Sequence, residues 1–157
     1  MPIPAKITKF LESSKVKYEV LKHRTVYTAF DKSQTLRVKP SLIGKTLVLR
    51  LDNKPVIVLI PADKNLDKNL LKKTLKAKKI DFIKEAWMKK TFKGIKLGAI
   101  PPFGNLWKIN TVVDKNLLFG PKVILNSGHY NFSIKINSSA FKKLVPDLLV
   151  FKISKKK

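Results

Sequence analysis

Gly98-Ala99-Ile100-Pro101-Pro102-Phe103-Gly104 is the stretch of this chain that constrains the fold most. Two of the six glycines bracket it, and two adjacent prolines fix φ in its middle without offering an N–H. We expect Gly98 and Gly104 to use backbone angles that other residues rarely adopt, and the loop to hold one shape. Two interpretations are open: a stiff connection between strands, or a rigid loop that aims carbonyls and the amides of residues 98–100 at a ligand.

Three other short segments accompany this loop. Gly44-Lys45-Thr46-Leu47-Val48-Leu49 places a lysine at the mouth of an apolar strand, Asn126-Ser127-Gly128-His129 is a polar turn between two strand-like runs, and Tyr27-Thr28-Ala29 lies near the start. The order and spacing of the four segments resemble the YbaK/EbsC family of aminoacyl-tRNA deacylases. They are similar also to the editing domain inserted in bacterial prolyl-tRNA synthetases. The resemblance covers residues 7–145, and the 98–104 segment is its most specific element.

The resemblance implies a YbaK-like α+β domain that hydrolyses the ester of mischarged tRNA without a cofactor. It implies catalytic roles for Lys45, Gly98 and His129. In the family, a lysine at the place of Lys45 is required for activity. The residues that it assigns to substrate binding are Tyr27, Thr28, Thr46, Ala99, Ile100, Pro101, Pro102, Phe103, Asn126, Ser127 and Gly128.

The residue types available for chemistry are few. The chain has no cysteine, its two histidines, His23 and His129, are isolated, and no paired carboxylates lie near the candidate loops. A Ser-His-Asp relay, a two-carboxylate site and a metal site are therefore disfavoured. Ester hydrolysis can still proceed by positioning and by electrostatic stabilisation of the oxyanion that forms when water attacks.

Lys45 is the cation that we expect to act. A lysine flanking a buried strand keeps its stem in the core and its ammonium at the rim, where it can hold a carbonyl, a ribose hydroxyl or a phosphate. The alternative is that Lys45 is one of thirty-one surface lysines. His129 either orients water or substrate, or bonds to loop backbone, and Ser127 either touches the ribose or closes the turn.

The amino acid removed is suggested by departures from the family pattern. Relatives that resemble Cys-tRNA deacylases usually carry Ser before the second proline and a later Ser-Gly-Gly turn, whereas this chain has Pro101-Pro102 and Ser127-Gly128-His129. The departures disfavour cysteine. A small pocket lined by Ile100, Leu49 and Tyr27 is expected to favour alanine or another small residue.

The formal net charge is +24, from 34 basic and 10 acidic residues. Such an excess favours a polyanionic partner. Only three of the basic residues are arginine, however, although arginine is the better bidentate phosphate ligand. A nucleic-acid-binding surface and a generally lysine-rich exterior therefore both stay open. The terminal Lys155-Lys156-Lys157 is expected to be a frayed, solvated end.

Hydrophobic periodicity predicts an α+β fold with a mostly antiparallel, mixed sheet and the candidate loops at strand ends. Residues 1–157 are expected to form one domain. No apolar run reaches the length of a membrane span and no signal peptide is evident, so we expect a cytoplasmic protein. Helices are predicted around 7–11, over 29–36, over 65–75 with Asn65 as cap, around 87–92 and over 138–144. Strands are predicted over 18–21, 45–51, 56–60, 110–113, 122–125, 131–136 and 148–153.

The sequence therefore predicts a trans-editing deacylase whose partner is the acceptor end of mischarged tRNA, with no membrane partner. The tRNA is expected to be that for proline, carrying a small wrong amino acid such as alanine, and a prolyl-tRNA synthetase is a further candidate partner. Two alternatives are a non-catalytic tRNA- or RNA-binding module and a basic accessory domain of a synthetase. The pairing of Lys45 with an intact 98–104 loop favours the enzyme, because a pure binder needs neither.

Overall fold

The computed structural model describes residues 3–157. Its helices are α1 (Ala5–Ser13), α2 (Ala29–Leu36), α3 (Lys68–Leu75), α4 (Glu85–Thr91) and α5 (Phe141–Leu144). Its strands are β1 (Tyr18–Lys22), β2 (Gly44–Leu51), β3 (Lys54–Pro61), β4 (Lys64–Leu66), β5 (Ile80–Phe82), β6 (Asn110–Asp114), β7 (Lys122–Asn126), β8 (Phe132–Asn137), β9 (Leu149–Phe151) and β10 (Ser154–Lys156). None of the helices within these residues is both long and apolar enough to cross a membrane.

The central feature of the fold is the predicted β2–β3 hairpin. It lies in a five-stranded sheet of order β5-β2-β3-β6-β9, in which β3 pairs antiparallel with β2 and parallel with β6. The side chains of β3 alternate between two buried clusters: Ile57 and Leu59 face one, and Val58 and Ile60 the other. Both faces of β3 are thus covered, which is why its sequence is continuously apolar.

A second sheet brings two of the candidate segments together. Its order is β1-β8-β7, all antiparallel, and it meets the first sheet at a bridge between Ile43 and Ile124. The start of β2 at Gly44 and the end of β7 at Asn126 therefore lie side by side. The predicted α+β fold with a mixed, mostly antiparallel sheet is confirmed.

The helix starts follow from side-chain caps. The hydroxyl of Thr28 accepts the Asp31 N–H at 3.0 Å and starts α2, as the sequence predicts. The prediction that a helix spans 65–75 with Asn65 as its cap is wrong at its start, because Asp67 caps α3 by accepting the Leu70 N–H at 3.0 Å. Asn65 instead lies in β4, which pairs with β10.

Two further predictions need correction near the C-terminus. The helix predicted from Ser138 begins as a 3-10 turn over Ser138–Ala140 and becomes α-helical only in α5. The strand predicted over 148–153 is limited to β9, after which the chain enters β10. Lys155 and Lys156 are consequently not a frayed end: both pair with β4 through their backbone.

Candidate functional site

The four segments singled out in the sequence meet at one pocket of about 200 Å³. It is lined by Val26, Tyr27, Thr28, Ala29, Lys32, Gly44, Lys45, Thr46, Gly98, Ala99, Asn126, His129 and Tyr130. Among these lining residues are two lysines and no aspartate, glutamate or cysteine. Pockets for drug-sized ligands start at about 300 Å³. This one is therefore matched to a small group rather than to a whole nucleotide.

Asn126 connects three walls of the pocket. Its Nδ2 donates to Thr46 Oγ1 on β2 at 3.3 Å and to the carbonyl of Ile100 at 3.2 Å, and its Oδ1 accepts from Lys32 Nζ on α2 at 2.7 Å. Since every polar atom of the amide has a partner, the orientation of Asn126 is fixed. The side chain thereby holds β2, α2 and the proline-rich loop in register around the pocket.

Lys32 is a pocket residue that the sequence reasoning missed. Its side chain is only 6% exposed, and burial lowers the pKa of its ammonium to about 8. A signal was available, because Lys32 lies three residues after Ala29 and four before Leu36, two residues that pack against a buried cluster. A lysine on the apolar face of a short helix predicts that its ammonium group is buried.

Lys45 lies at the pocket rim, where the sequence predicts a cation. The residue is half-buried on β2, and its Nζ donates to the Lys64 carbonyl at 3.4 Å. Burial, followed by the positive charge of Lys157, lowers the pKa of the ammonium. Lys45 is thus a lining residue of the pocket whose ammonium is hydrogen-bonded to the backbone of β4.

The glycines of the loop are needed for space and not for their backbone angles. The glycines with positive φ in the described residues are Gly94 and Gly128, so the expectation for Gly98 and Gly104 is wrong. A Cβ at Gly98 would lie 2.9 Å from Cε1 of Tyr130, and one at Gly104 would overlap the carbonyl oxygen of Ile109. Backbone therefore excludes a side chain at Gly104, whereas a side chain at Gly98 would have to displace the ring of Tyr130.

Loop amides expected to face a ligand already have partners. The Gly98 N–H donates to the Tyr130 hydroxyl at 3.2 Å, and the Ala99 N–H donates to the Lys96 carbonyl at 2.9 Å. The loop is also paired with the polar turn, since the Gly128 N–H donates to the Ala99 carbonyl at 2.7 Å. The expectation that the amides of Gly98 and Ala99 point at a ligand is therefore wrong.

The second half of the loop belongs to the core. Pro101 and Pro102 are buried, and Phe103 is fully buried with its ring centroid 5.2 Å from that of Phe10. None of these three lines the pocket, so their assignment to substrate binding does not fit their position. The prolines stiffen the loop on the side that faces the core.

The expected pocket walls are only partly correct. Leu49 is 5% exposed and belongs to the cluster on the opposite face of β2, and Ile100 is 2% exposed. Neither lines the pocket, so that expectation is wrong for both. Tyr27 does line it: the ring is 68% exposed and lies edge-on to Tyr130, with centroids 4.8 Å apart.

In the polar turn, Ser127 and Gly128 have structural roles, whereas His129 lines the pocket. Ser127 is fully buried and its hydroxyl donates to the Phe132 carbonyl at 2.6 Å, the contact of a residue that closes the turn. Gly128 has φ +95°, which glycine adopts easily. His129 lines the pocket, and its Nδ1 accepts the Asn131 N–H at 3.0 Å. In the neutral ring the proton is consequently on Nε2, which can donate.

The other histidine is structural. His23 Nδ1 donates to the Arg24 carbonyl at 2.8 Å, which leaves Nε2 to accept from the Ser133 hydroxyl at 2.9 Å. Burial lowers the pKa of His23 and so favours this neutral form. The ring serves to join β8 to the segment that follows β1.

The α+β fold thus surrounds a small pocket with two lysines in its lining. The family model described as "Aminoacyl-tRNA editing domain" matches residues 23–144. The chain belongs to this family, and the resemblance seen in the sequence is confirmed. No curated protein sequence matched the chain.

Solved structures share the fold. "Hypothetical protein APE2540" has a TM-score of 0.84 at 22% identity, over 96% of this chain and 99% of that one. A "putative trans-editing enzyme for prolyl tRNA synthetase" has a TM-score of 0.80 at 18% identity, over 96% and 95%. A "Putative signal transduction protein from Marinobacter aquaeolei VT8" has a TM-score of 0.75 at 16% identity, over 97% of this chain and 31% of that one.

Proposed function

We propose that this chain is an aminoacyl-tRNA hydrolase that acts in trans on mischarged tRNA, with residues 1–157 acting as one domain. The observation that carries the proposal is the pocket of about 200 Å³ with Lys45 in its lining, in a member of the aminoacyl-tRNA editing family. The proposed substrate is a tRNA for proline that carries a small wrong amino acid such as alanine. The structural neighbour described as a trans-editing enzyme for prolyl-tRNA synthetase supports this choice.

The proposed reaction is attack of water on the ester carbonyl carbon. The negative charge that develops on the carbonyl oxygen is stabilised by the ammonium of Lys45, and one such donor is worth about a hundredfold to a thousandfold in rate. The bond between the carbonyl carbon and the ribose oxygen then breaks. One proton of the attacking water goes to the ribose oxygen, and the other is released to solvent as the amino acid leaves as a carboxylate. His129 lines the pocket, and its proposed role is to orient water or the ribose through Nε2–H.

The size of the pocket supports a small amino acid. A pocket discriminates one methylene by about 1–3 kcal/mol, so we expect partial activity on amino acids one carbon larger than alanine. We propose that the enzyme acts in the cytoplasm, where a prolyl-tRNA synthetase would supply the mischarged tRNA.

Deacylation of a panel of mischarged tRNAs tests this function. Wild-type protein should release alanine from a tRNA for proline faster than it releases proline from the same tRNA. Lys45→Ala should lower that rate at least about a hundredfold, because it removes the charge that stabilises the oxyanion. Lys45→Met should do the same while keeping most of the stem.

Lys54→Ala is the matched control, since it removes an exposed lysine at the far end of the same hairpin. It should retain the wild-type rate. A wild-type protein that binds tRNA but hydrolyses no member of the panel would favour the non-catalytic binding module instead. Activity that appears only when a synthetase is added would favour the accessory domain.

A further inference from the structure

The C-terminal lysines are held in a defined place. β10 pairs antiparallel with β4, with Lys155 opposite Asn65 and Lys156 opposite Lys64. The Lys155, Lys156 and Lys157 side chains are exposed. Backbone pairing therefore orders a run of lysines while leaving their charges available to a ligand.

A buried carboxylate anchors this strand. Asp114 is fully buried, its Oδ1 accepts the Ile153 N–H at 2.9 Å, and its Oδ2 accepts the Ser154 hydroxyl at 2.7 Å. On the other side, the Ile153 carbonyl accepts the Asp67 N–H at 2.8 Å. Because these groups are hydrogen-bonded in the interior, the direction in which the chain enters β10 is fixed.

The two strands border a groove of about 410 Å³, which we call the lysine groove. It is lined by Lys64, Asp67, Leu70, Asn116, Lys152, Ser154, Lys155 and Lys156. The lining of the groove thus contains four lysines and one carboxylate, that of Asp67. Such an excess of positive charge on one surface is the usual electrostatic feature of a phosphate-binding region.

The lysine groove adjoins the pocket. Lys45, a lining residue of the pocket, donates to the carbonyl of Lys64, a lining residue of the groove. Lys156 pairs with Lys64 in β4, so Lys157, which follows it, lies close to Lys45.

We propose that the lysine groove binds the phosphates of the single-stranded 3′ end of tRNA and guides its terminal nucleotide toward the pocket. The proposal rests on the proposed function, because an RNA strand whose terminal aminoacyl group enters the pocket must leave along an adjoining surface. Lysine suits this task, since a flexible point charge contacts phosphates without reading sequence.

The test is binding of uncharged tRNA at several salt concentrations. The groove variant carries Lys152→Gln, Lys155→Gln and Lys156→Gln, three lysines that line the groove. The control variant carries Lys17→Gln, Lys122→Gln and Lys135→Gln, which removes the same charge from a separate cleft that these three lysines line. Both leave Asp114 and its partners unchanged, and circular dichroism checks their folding.

The slope of log affinity against log salt should become shallower by about two units in the groove variant, at about 0.7 unit per single-strand phosphate contact. The control variant should keep nearly the wild-type slope. An equal loss in both variants, or an unchanged slope in the groove variant, would overturn the proposal. If the groove variant fails to fold, Lys64→Gln with Lys152→Gln replaces it, with an expected change in slope of about 1.4 units and with Lys17→Gln and Lys122→Gln as its control.

Uncharged tRNA is the probe because its binding does not require hydrolysis. If the groove variant alone loses affinity while no mischarged tRNA is hydrolysed, the groove proposal stands and the proposed function fails. If deacylation depends on Lys45 but the slopes are unchanged, the proposed function stands and the groove proposal fails.

Discussion

Lys32 places an ammonium group where burial opposes its charge. The side chain is 6% exposed, and the recorded hydrogen-bond partner of Nζ within residues 3–157 is Asn126 Oδ1. An ammonium has three donors, and burial disfavours its charged form. The residue thus adds a second cation to the pocket at a cost in folding free energy, while it fixes the amide of Asn126.

Stability should therefore depend on pH through Lys32. Burial lowers the pKa from 10.5 to about 8, so between these values the unfolded chain binds more protons than the folded one, and stability rises with pH. We expect wild type to gain on the order of 2 kcal/mol relative to Lys32→Met between pH 7 and pH 10. Urea unfolding of both proteins across that range measures the difference, and the subtraction cancels the other lysines. A difference that stays constant with pH would contradict the burial of a charged Lys32.

Single residues could be predicted only where the sequence made them distinctive. Lys45 stands at the start of an apolar strand and His129 is one of two histidines, and both line the pocket. Lys32 was overlooked among thirty-one lysines, although its spacing from Ala29 and Leu36 places it on the apolar face of α2. The resemblance assigned Phe103 to substrate binding as part of the 98–104 segment, but membership of a loop does not determine which side chains face the core.

At the scale of elements, the rigid loop was predicted for a partly wrong reason. Its prolines and glycines do indicate a fixed shape. Glycine is needed at position 98, however, because the ring of Tyr130, which is distant in sequence, lies beside it. Glycine is needed at position 104 because the carbonyl of Ile109, which is close in sequence, lies beside it. Propensity describes the chain's own backbone. It cannot indicate which neighbour occupies the space beside a glycine.

The two glycines should separate activity from stability. Gly98→Ala pushes on the movable ring of Tyr130, which lines the pocket, so we expect lower deacylation with a change in unfolding free energy below about 1 kcal/mol. Gly104→Ala drives Cβ into backbone at a buried position and should destabilise by about 1–3 kcal/mol. Denaturant unfolding and rates per folded molecule measure both. A stable Gly104→Ala, or a Gly98→Ala with normal turnover, would contradict this division.

Long periodic elements were predictable, and three of the four three-residue strands were not. The β2–β3 hairpin and α2 follow from apolar patterning and from a Thr cap, which are local properties. β4, β5 and β10 are too short to show a period, and each exists because a partner strand satisfies its backbone. The missed β4 is also why the start of α3 was placed at Asn65.

At the scale of the whole molecule, positive charge is poorly compensated. The net charge is +24, and the ion pairs found in residues 3–157 are Lys79–Asp81 at 3.6 Å and Lys89–Glu85 at 3.5 Å, both on the surface. Exposed pairs of this kind contribute little to stability. Repulsion among the lysines is therefore the main electrostatic effect on the folded state, and a polyanion that binds it should relieve that repulsion.

Added salt should consequently stabilise this protein while weakening its binding to tRNA. Screening reduces repulsion in the compact state more than in the expanded unfolded chain, so the melting temperature should rise as KCl increases from about 0.02 to 0.3 M. Chloride is preferred over sulfate because sulfate also strengthens apolar burial. Thermal unfolding followed by circular dichroism measures the effect, and the groove variant, with three fewer charges, should show a smaller rise. A melting temperature that falls with KCl would indicate that attractive ion pairs outweigh repulsion, and would remove charge relief as a reason for tRNA to stabilise the fold.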